Sequence, residues 1–190
     1  MGVIPRSQSW TAATPGSPPT CRNVQSPLLD TIRFGHCVRM PEAREGALWD
    51  VVEGRAPLPK ASELLGWSLH SIDTGAGTIV VRFEAREAFT NPVGNIHGGF
   101  LAAMLDDTMG PALVATLPPG QFAPTLEMKI SFFQPAKVGV LWGHGRVVSR
   151  GRSIAFVEAD LTDDGGRLVA RASATARIIA MDTGKPTEPR

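Results

Sequence analysis

The sequence predicts an α+β fold in which an antiparallel sheet of five or six strands wraps around one long helix. Apolar residues recur at helical spacing from Gly98 to about Thr116, while two-residue alternation dominates before and after this stretch. Glycine-rich turns join the alternating segments, as in hairpins. The last segment carries a row of alanines, which leaves room for a bulky helix to pack on the sheet.

The composition of the chain restricts its protein class, its partners and its cellular location. The chain has 43% apolar and 19% charged residues and a net charge of +1, which favours neither nucleic acid nor a membrane surface as a partner. No apolar run approaches the length of a membrane-spanning helix. Cys21 and Cys37 lack zinc-type spacing and are too few for a disulfide framework, which favours a cytoplasmic location.

Residues 1–43 are predicted to be a disordered extension. Residues 1–29 contain no acid and are rich in Pro, Ser, Thr and Gly, so they bury too little apolar surface to offset the entropy of ordering. Two alternatives stay open, namely an organelle-targeting peptide and a true start at Met40. With a flexible tail expected at 183–190, the folded domain spans 44–182.

Two short helices and a hairpin precede the long helix. The helices are expected at about 44–53 and 61–65, separated by the Pro57-Leu58-Pro59 breaker. In the first strand of the hairpin, one face holds Trp67, Leu69 and Ser71, and the other holds Ser68, His70 and Ile72. After a turn at Gly75-Ala76-Gly77, the second strand places Ile79, Val81 and Phe83 on one face.

The long helix has two contrasting faces. A bulky stripe consists of Phe100, Leu101, Met104, Leu105 and Thr108. The opposite stripe has small side chains and one acid, and consists of Gly99, Ala102, Ala103, Asp106 and Gly110. This pattern indicates that a second subunit or a ligand approaches closely, and that the carboxylate is paired or used. Asp107 is expected to be solvated or a structural hydrogen-bonder, and Pro111 to kink or restart the helix.

The start of this helix is a candidate oxyanion site. In His97-Gly98-Gly99 the glycines allow close backbone approach, and a helix N-terminus offers free N–H groups and a positive dipole end. A chance turn would explain the tripeptide taken alone, but the acid that follows within the helix strengthens the functional interpretation.

The last third of the chain is predicted to be strands. In the first, Leu126, Met128, Ile130 and Phe132 face one way, and Thr125, Glu127, Lys129 and Ser131 face the other. Strands at about 140–149 and 153–162 follow, joined by a turn at Arg150-Gly151-Arg152 that is either solvated or a phosphate clamp. A hairpin turn at 163–166 leads to the last strand, with alanines at 170, 172, 174 and 176.

Several other chemistries are excluded by their missing motifs. The chain has no Gly-x-Ser-x-Gly elbow, no P-loop and no complete dinucleotide loop. Its histidines lack zinc spacing, and His70 and His144 are expected to be structural or surface residues.

The combined pattern resembles the phenylacetate-pathway (PaaI-like) thioesterases of the hotdog superfamily, over roughly residues 52–181. The specific part is the run from Asn91 to Gly99 followed by Leu105-Asp106. Weaker likenesses are Leu64-Leu65-Gly66-Trp67, the segment 125–132 with Pro135-Ala136, Gly151-Arg152, and the segment 165–170.

The resemblance implies an acyl-CoA thioesterase with a hotdog fold, no metal or redox cofactor, and active sites shared between the subunits of a homodimer or homotetramer. It implies Asp106 as general base or nucleophile, the N–H of Gly98 or Gly99 as oxyanion donor, and Asn91 as a positioning group for substrate or water. Thr125 would assist the carboxylate, His97 would orient the loop or contact the sulfur, and Arg150, Gly151 and Arg152 would hold CoA phosphates.

Two other functions stay open. One is a non-catalytic acyl-CoA-binding or regulatory module, against which the presence of the acid argues. The other is an enoyl-CoA hydratase, although no His follows Asp106 at the spacing such sites use.

Overall fold

The computed structural model describes residues 44–181. The predictions for residues 1–43, including Cys21, Cys37 and Met40, and for the tail at 183–190 lie outside the described residues. The elements are α1 (Ala47–Val52), α2 (Lys60–Leu64), β1 (Ser68–Asp73), β2 (Thr78–Ala85), a 3-10 helix (Glu87–Phe89), α3 (Gly98–Val114), β3 (Gln121–Phe122), β4 (Thr125–Phe132), β5 (Gly139–Arg150), β6 (Ile154–Asp163), β7 (Leu168–Arg177) and β8 (Ile179–Ala180).

Six of the strands form one antiparallel sheet in the order β1-β2-β5-β6-β7-β4, and β3 pairs separately with β8. Strands β1 and β4 are therefore the edges of the main sheet. The prediction of an α+β fold with five or six antiparallel strands and one long helix is confirmed.

Helix α3 packs on one face of the sheet, and its bulky stripe forms the core. Leu101, Met104, Leu105 and Thr108 are buried, while Phe100 is half-buried and stacks on Phe89 with ring centroids 4.2 Å apart. The predicted alanines of β7, at positions 170, 172, 174 and 176, are also buried. Their small side chains let the helix lie close to the strand, as the sequence predicted.

Strand β5 has a blurred sequence pattern because glycines take inward positions. A Cβ on Gly143 would overlap Thr108 Oγ1 and lie 2.8 Å from Val81 Cγ2, and one on Gly145 would lie 3.0 Å from the Thr108 carbonyl oxygen. The polar Thr108 tolerates this burial because its hydroxyl donates to the Met104 carbonyl at 2.7 Å.

The predicted faces of β1 are wrong beyond Leu69. Leu69 pairs with Val81 and Ile72 pairs with Ile79, so a bulge at His70 shifts the register and brings Ile72 to the same face as Leu69. The expected alternation fails because a bulge adds one residue without a cross-strand partner.

Helix α3 is continuous through Pro111, so the predicted restart does not occur. Proline has no N–H to donate to the carbonyl four residues earlier, which belongs to Asp107. The Trp67 indole donates to that carbonyl at 3.0 Å instead. A tertiary contact thus satisfies the group that Pro111 leaves without its helical partner.

Candidate active site

The loop before α3 is held by one asparagine side chain. Asn91 Oδ1 accepts hydrogen bonds from the N–H groups of Val93 and Asn95, both at 3.1 Å, and Gly94 completes the turn at φ 71°. Its carboxamide oxygen is therefore occupied by the turn, which leaves the Asn91 NH2 group as the donor available to a ligand.

His97 is the N-cap of α3. Its Nδ1 accepts from the Gly99 N–H at 3.0 Å, so the proton of the neutral ring lies on Nε2. The Gly99 N–H is consequently engaged, whereas the Gly98 N–H has no acceptor within residues 44–181. Of the two predicted oxyanion donors, Gly98 is the one with a free N–H.

A cleft of about 400 Å³ lies against this helix start. Its wall combines polar groups with apolar side chains and includes Asn91, Asn95, Gly98, Leu101 and Phe132. The Phe132 ring lies 3.2 Å from the position that a Cβ on Gly98 would occupy. A larger residue at position 98 would therefore displace the ring and narrow the cleft.

The predicted carboxylate lies further along the same helix. Asp106 is exposed, and its Oδ1 accepts a hydrogen bond from Thr125 Oγ1 at 2.8 Å. The small-residue stripe around it is open or half-open, and a Cβ on Gly110 would meet no atom within 4 Å. The face that the sequence singled out is thus partly open to solvent, and the Thr125 hydroxyl is the polar group that contacts its carboxylate.

A bulge in β4 brings Thr125 to Asp106. The sequence alternation predicted that Thr125 and Met128 lie on opposite faces of β4. The register shifts between Thr125 and Glu127, however, so Thr125 pairs with Ala176 and Met128 pairs with Ala174. Thr125 and Met128 therefore lie on the same face. Both alanines are buried under the helix. The predicted face of Thr125 is therefore wrong, while its predicted contact with the carboxylate is present.

The predicted site residues form two separate groups within one chain. Asn91, His97 and Gly98 lie at the start of α3, and Asp106 and Thr125 lie near its middle. Asp106 follows Gly98 by eight positions in the helix, or about 12 Å along the axis. A thioester carbonyl cannot contact both groups of the same chain at once.

Asp107 belongs to the packing between helices. Its Oδ1 accepts from the buried Ser62 hydroxyl at 3.2 Å, and its Oδ2 is buried without a partner within the described residues. Desolvation raises the pKa of Asp107, with the Asp106 charge adding a smaller effect in the same direction and the Ser62 hydrogen bond opposing it. Of the two predicted roles, structural hydrogen bonding is confirmed and full solvation is wrong.

The turn between β5 and β6 carries the predicted phosphate-binding residues. Arg150 donates to the Thr116 carbonyl beyond the C-terminus of α3, and Arg152 is exposed without a partner in the described part of the chain. Gly151 closes the turn by donating its N–H to the Ile154 carbonyl at 2.8 Å.

Arg177 was not singled out in the sequence, although it joins this turn. It pairs with Ile154 across β6 and β7, and its N–H donates to the Pro124 carbonyl at 3.0 Å. The other described arginines lie against a carboxylate or, for Arg44, against the Trp49 ring. The three arginines without such neighbours are therefore clustered at one corner of the sheet, a pattern that linear sequence spacing does not reveal.

His70 and His144, the other histidines within residues 44–181, lie on strands β1 and β5. His70 packs edge-on to Trp142 at 5.1 Å between ring centroids, and His144 Nε2 lies 3.3 Å from Thr162 Oγ1. Within residues 44–181, no three His, Cys, Asp or Glu side chains are grouped for metal binding. The helices of this region include none long and apolar enough to span a membrane.

Comparison with known proteins identifies the family. Residues 93–170 match the model of the thioesterase superfamily. A solved phenylacetic acid degradation-related protein from Ralstonia eutropha is 39% identical, with a TM-score of 0.67 over 68% of this chain and 98% of that one. A thioesterase from Streptococcus pneumoniae, solved with coenzyme A, is 25% identical, with a TM-score of 0.56 over 62% of this chain and 88% of that one.

A curated relative gives the same result. Acyl-coenzyme A thioesterase 13 of Homo sapiens is 27% identical over 136 residues, which are 70% of this chain and 94% of the human protein. The predicted resemblance and the predicted enzyme class, a thioester hydrolase, are confirmed at the level of the family. The chain belongs to the thioesterase superfamily, and its described domain has the hotdog fold.

Proposed function

We propose that the protein hydrolyses an acyl-CoA thioester to a carboxylic acid and CoA, in a site that two copies of the chain complete together. The human relative is named an acyl-CoA thioesterase, and the streptococcal relative was solved with coenzyme A. The observation that carries the proposal is the Asp106–Thr125 pair on an open helix face, about 12 Å from the free Gly98 N–H.

Asp106 supplies the reactive carboxylate. The Thr125 hydroxyl donates to Oδ1 and so fixes the orientation of the carboxylate, which leaves Oδ2 to face the substrate. As a general base, Asp106 takes a proton from water while the water oxygen attacks the thioester carbon. As a nucleophile, it attacks that carbon itself, and water then hydrolyses the mixed anhydride. Either route releases the CoA thiolate, which takes up a proton.

The residues at the start of α3, namely Asn91, His97 and Gly98, stabilise the negative charge that develops on the carbonyl oxygen of the thioester. The free Gly98 N–H lies in the first turn of α3, where the helix dipole adds a favourable field. The Asn91 NH2 group is another polar donor in the wall of the cleft and holds the substrate or the attacking water. His97 orients the loop through its Nδ1 and presents Nε2–H towards the thioester sulfur.

Strand β4 provides the means of joining two copies. It starts at Thr125 beside Asp106 and ends at Phe132 beside Gly98, and it is an edge of the sheet. Antiparallel pairing of β4 with the same strand of a second copy brings the Asp106 end of one chain to the Gly98 end of the other. A homodimer then has two complete sites, and a tetramer of two such dimers has four.

The cluster of Arg150, Arg152 and Arg177 at one corner of the sheet binds the phosphate-bearing end of the substrate. Thr125, Ala176, Ala155 and Arg150 are successive cross-strand neighbours, so about 14 Å of sheet separates Thr125 from Arg150. Arg152 and Arg177, which have no carboxylate neighbours within residues 44–181, are the guanidinium groups that would hold CoA phosphates at this corner of the sheet. The Arg150 guanidinium already donates a hydrogen bond to the Thr116 carbonyl beyond the end of α3.

The test compares two neighbouring acids. Asp106→Asn should abolish hydrolysis across a panel of aromatic, short, medium and long acyl-CoAs, while the dimer persists in sedimentation velocity. Asp107→Asn is the matched control, since an asparagine there still accepts from Ser62, and it should keep wild-type turnover. Wild-type turnover in Asp106→Asn would refute the mechanism. If the wild-type protein binds acyl-CoAs but hydrolyses none of them, the alternative function as a non-catalytic acyl-CoA-binding module would be favoured.

A further inference from the structure

We infer that Phe132 determines which acyl groups the site accepts. Its ring, which lies against Gly98, admits a methylene group at the α-carbon of the acyl group and excludes a branched α-carbon. The inference rests on the proposed function, and it names the class of acyl group that the same site takes. Acyl-CoAs whose first carbon beyond the thioester carbonyl is unbranched are the expected substrates.

The Phe132 ring lies against the first residue of α3. Its Cζ, Cε1 and Cε2 atoms lie 3.2, 3.5 and 3.7 Å from the position that a Cβ on Gly98 would occupy. The outer edge of the ring therefore points at the glycine. On β7 the residue opposite Phe132 is the buried Ala170, whose small side chain leaves the ring room to reach the helix.

The ring and the oxyanion donor border the same space. In a helix, the N–H groups point towards the N-terminus, and the Cα–Cβ bonds tilt in the same direction. The ring lies where a side chain at position 98 would point, and Phe132 and Gly98 both line the cleft at the helix start. A Cβ lies about 2.5 Å from its own backbone nitrogen, so one ring atom lies within about 6 Å of the Gly98 nitrogen.

A thioester bound to the Gly98 N–H brings its α-carbon to this ring. With an N–H···O distance of about 2.9 Å, the two atoms attached to the carbonyl carbon lie about 4–5 Å from the Gly98 nitrogen. One of them is the sulfur, from which the pantetheine arm of the proposed substrate runs to Arg152 and Arg177 of the chain that supplies Asp106. The other is the α-carbon, which therefore faces the cleft of the chain that supplies Gly98.

The cleft around the ring is suited to an apolar acyl group. Phe132 and Phe133 are 54% and 51% exposed, and exposed aromatic side chains beside a cleft indicate contact with a ligand or partner. The other apolar residues of the wall are Ile96, Leu101, Pro135 and Ala136. A methylene group fits beside the edge of the Phe132 ring, whereas a methyl branch on the α-carbon needs the space that the ring holds. One such carbon in an apolar pocket changes kcat/KM by about 10- to 200-fold.

Isomeric substrates test the inference on the wild-type protein. For each chain length that is hydrolysed, three acyl-CoAs are compared, namely the linear isomer, the isomer with a methyl branch at the α-carbon and the isomer with that branch at the β-carbon. Hydroxide-catalysed hydrolysis of the same thioesters gives the intrinsic effect of branching, by which the enzymatic ratios are divided. The α-branched isomer should then have a kcat/KM lower than that of the β-branched isomer by about tenfold or more. Equal values would overturn the inference.

Shortening the side chain assigns this discrimination to one residue. Phe132→Leu, or Phe132→Met as a second variant, should bring the α- and β-branched isomers to within about threefold of each other. Phe133→Leu is the matched control, because Phe133 lines the same cleft but the three atoms that crowd position 98 all belong to Phe132. It should keep the wild-type ratio of the two isomers. Sedimentation velocity confirms that each variant assembles as the wild type does. Retention of the wild-type ratio in both Phe132 variants would overturn the inference.

Exchanging size between the two residues tests their contact. Gly98→Ala places a methyl group 3.2 Å from the ring and should lower kcat/KM for the linear substrate by about tenfold, because the ring is pushed into the cleft. Gly98→Ala/Phe132→Leu should recover to within about threefold of Phe132→Leu alone, since residues in contact are not additive. A double variant no more active than Gly98→Ala would show that the ring is not what position 98 must accommodate, which overturns the inference.

The proposed function and this inference fail in different ways. If the wild type hydrolyses linear and α-branched acyl-CoAs equally well, the proposed function holds and the inference is wrong. If the wild type hydrolyses no acyl-CoA of any class, the proposed function is wrong and the inference falls with it.

Discussion

Removing the Thr125 hydroxyl tests the most specific contact of the candidate site. Thr125→Val keeps the shape of the side chain and deletes the donor to Asp106 Oδ1, which lies 2.8 Å away. A hydrogen bond to a charged group contributes about 1.5–3 kcal/mol. Thr125 is exposed, so water replaces part of the interaction, and the lower half of this range applies. A loss of about 1.5–2 kcal/mol in transition-state stabilisation lowers kcat by roughly 10- to 30-fold.

The assay is steady-state hydrolysis of the best acyl-CoA, followed through release of free thiol. Thr125→Ser is the matched control, since it keeps the hydroxyl and should retain kcat within about threefold. Sedimentation velocity on each variant separates a catalytic loss from a lost dimer, because Thr125 begins the strand that is proposed to pair.

Two results would refute this reasoning. Wild-type kcat in Thr125→Val would mean that the hydroxyl does not orient the carboxylate during the reaction. An equal loss in Thr125→Ser and Thr125→Val, with the dimer intact, would mean that the methyl group or the bulged backbone matters and the hydrogen bond does not.

Three further predictions concern stability and substrate binding. Gly143→Ala overpacks the helix–sheet contact, at a cost of about 1–3 kcal/mol, and should lower Tm by about 3–10 °C in calorimetry, whereas Gly75→Ala in the β1–β2 turn should not. Burial raises the pKa of Asp107, so the folded protein binds that proton more tightly, and stability should fall as pH rises from about 4 through the folded-state pKa. Asp107→Asn should remove this part of the pH dependence in urea unfolding, and an unchanged slope would contradict the buried carboxyl. Arg152→Ala and Arg177→Ala should each raise KM for acyl-CoA by about 3- to 10-fold without affecting an acyl-pantetheine thioester that lacks the phosphates. Equal effects on both thioesters would exclude a phosphate contact.

Local patterns in the sequence were sufficient for the architecture and for the location of the candidate site. The helical period from Gly98, the alternating segments and the alanines of β7 each reflect which residues one element can bury, and burial depends on the local period. The lone Asp106 on a small-residue face was visible for the same reason. These features belong to single elements, so they could be predicted without knowledge of any tertiary contact.

The sequence-based predictions fail where a bulge adds one residue to a strand, or where residues far apart in the sequence are in contact. A strand alternates with period two, so one extra residue reverses every face beyond it, and no composition signal marks the bulges at His70 and Leu126. The sequence therefore placed Thr125 on the wrong face of its strand, although its predicted contact with the Asp106 carboxylate is present. Ser62 lies 45 residues from its partner Asp107, so only the packing of α2 against α3 makes that acid structural.

Three features follow from the sequence alone, because each depends on neighbours along the chain. They are the fold class, the helix with its His97-Gly98-Gly99 start, and the carboxylate on the small-residue face of that helix. Three other features required the folded chain, namely which N–H is free, which face Thr125 takes, and that Arg177 lies near Arg150 and Arg152. These outcomes depend on a capping contact made by one side chain and on strand register. Both are set by the geometry of the folded chain and not by residue spacing.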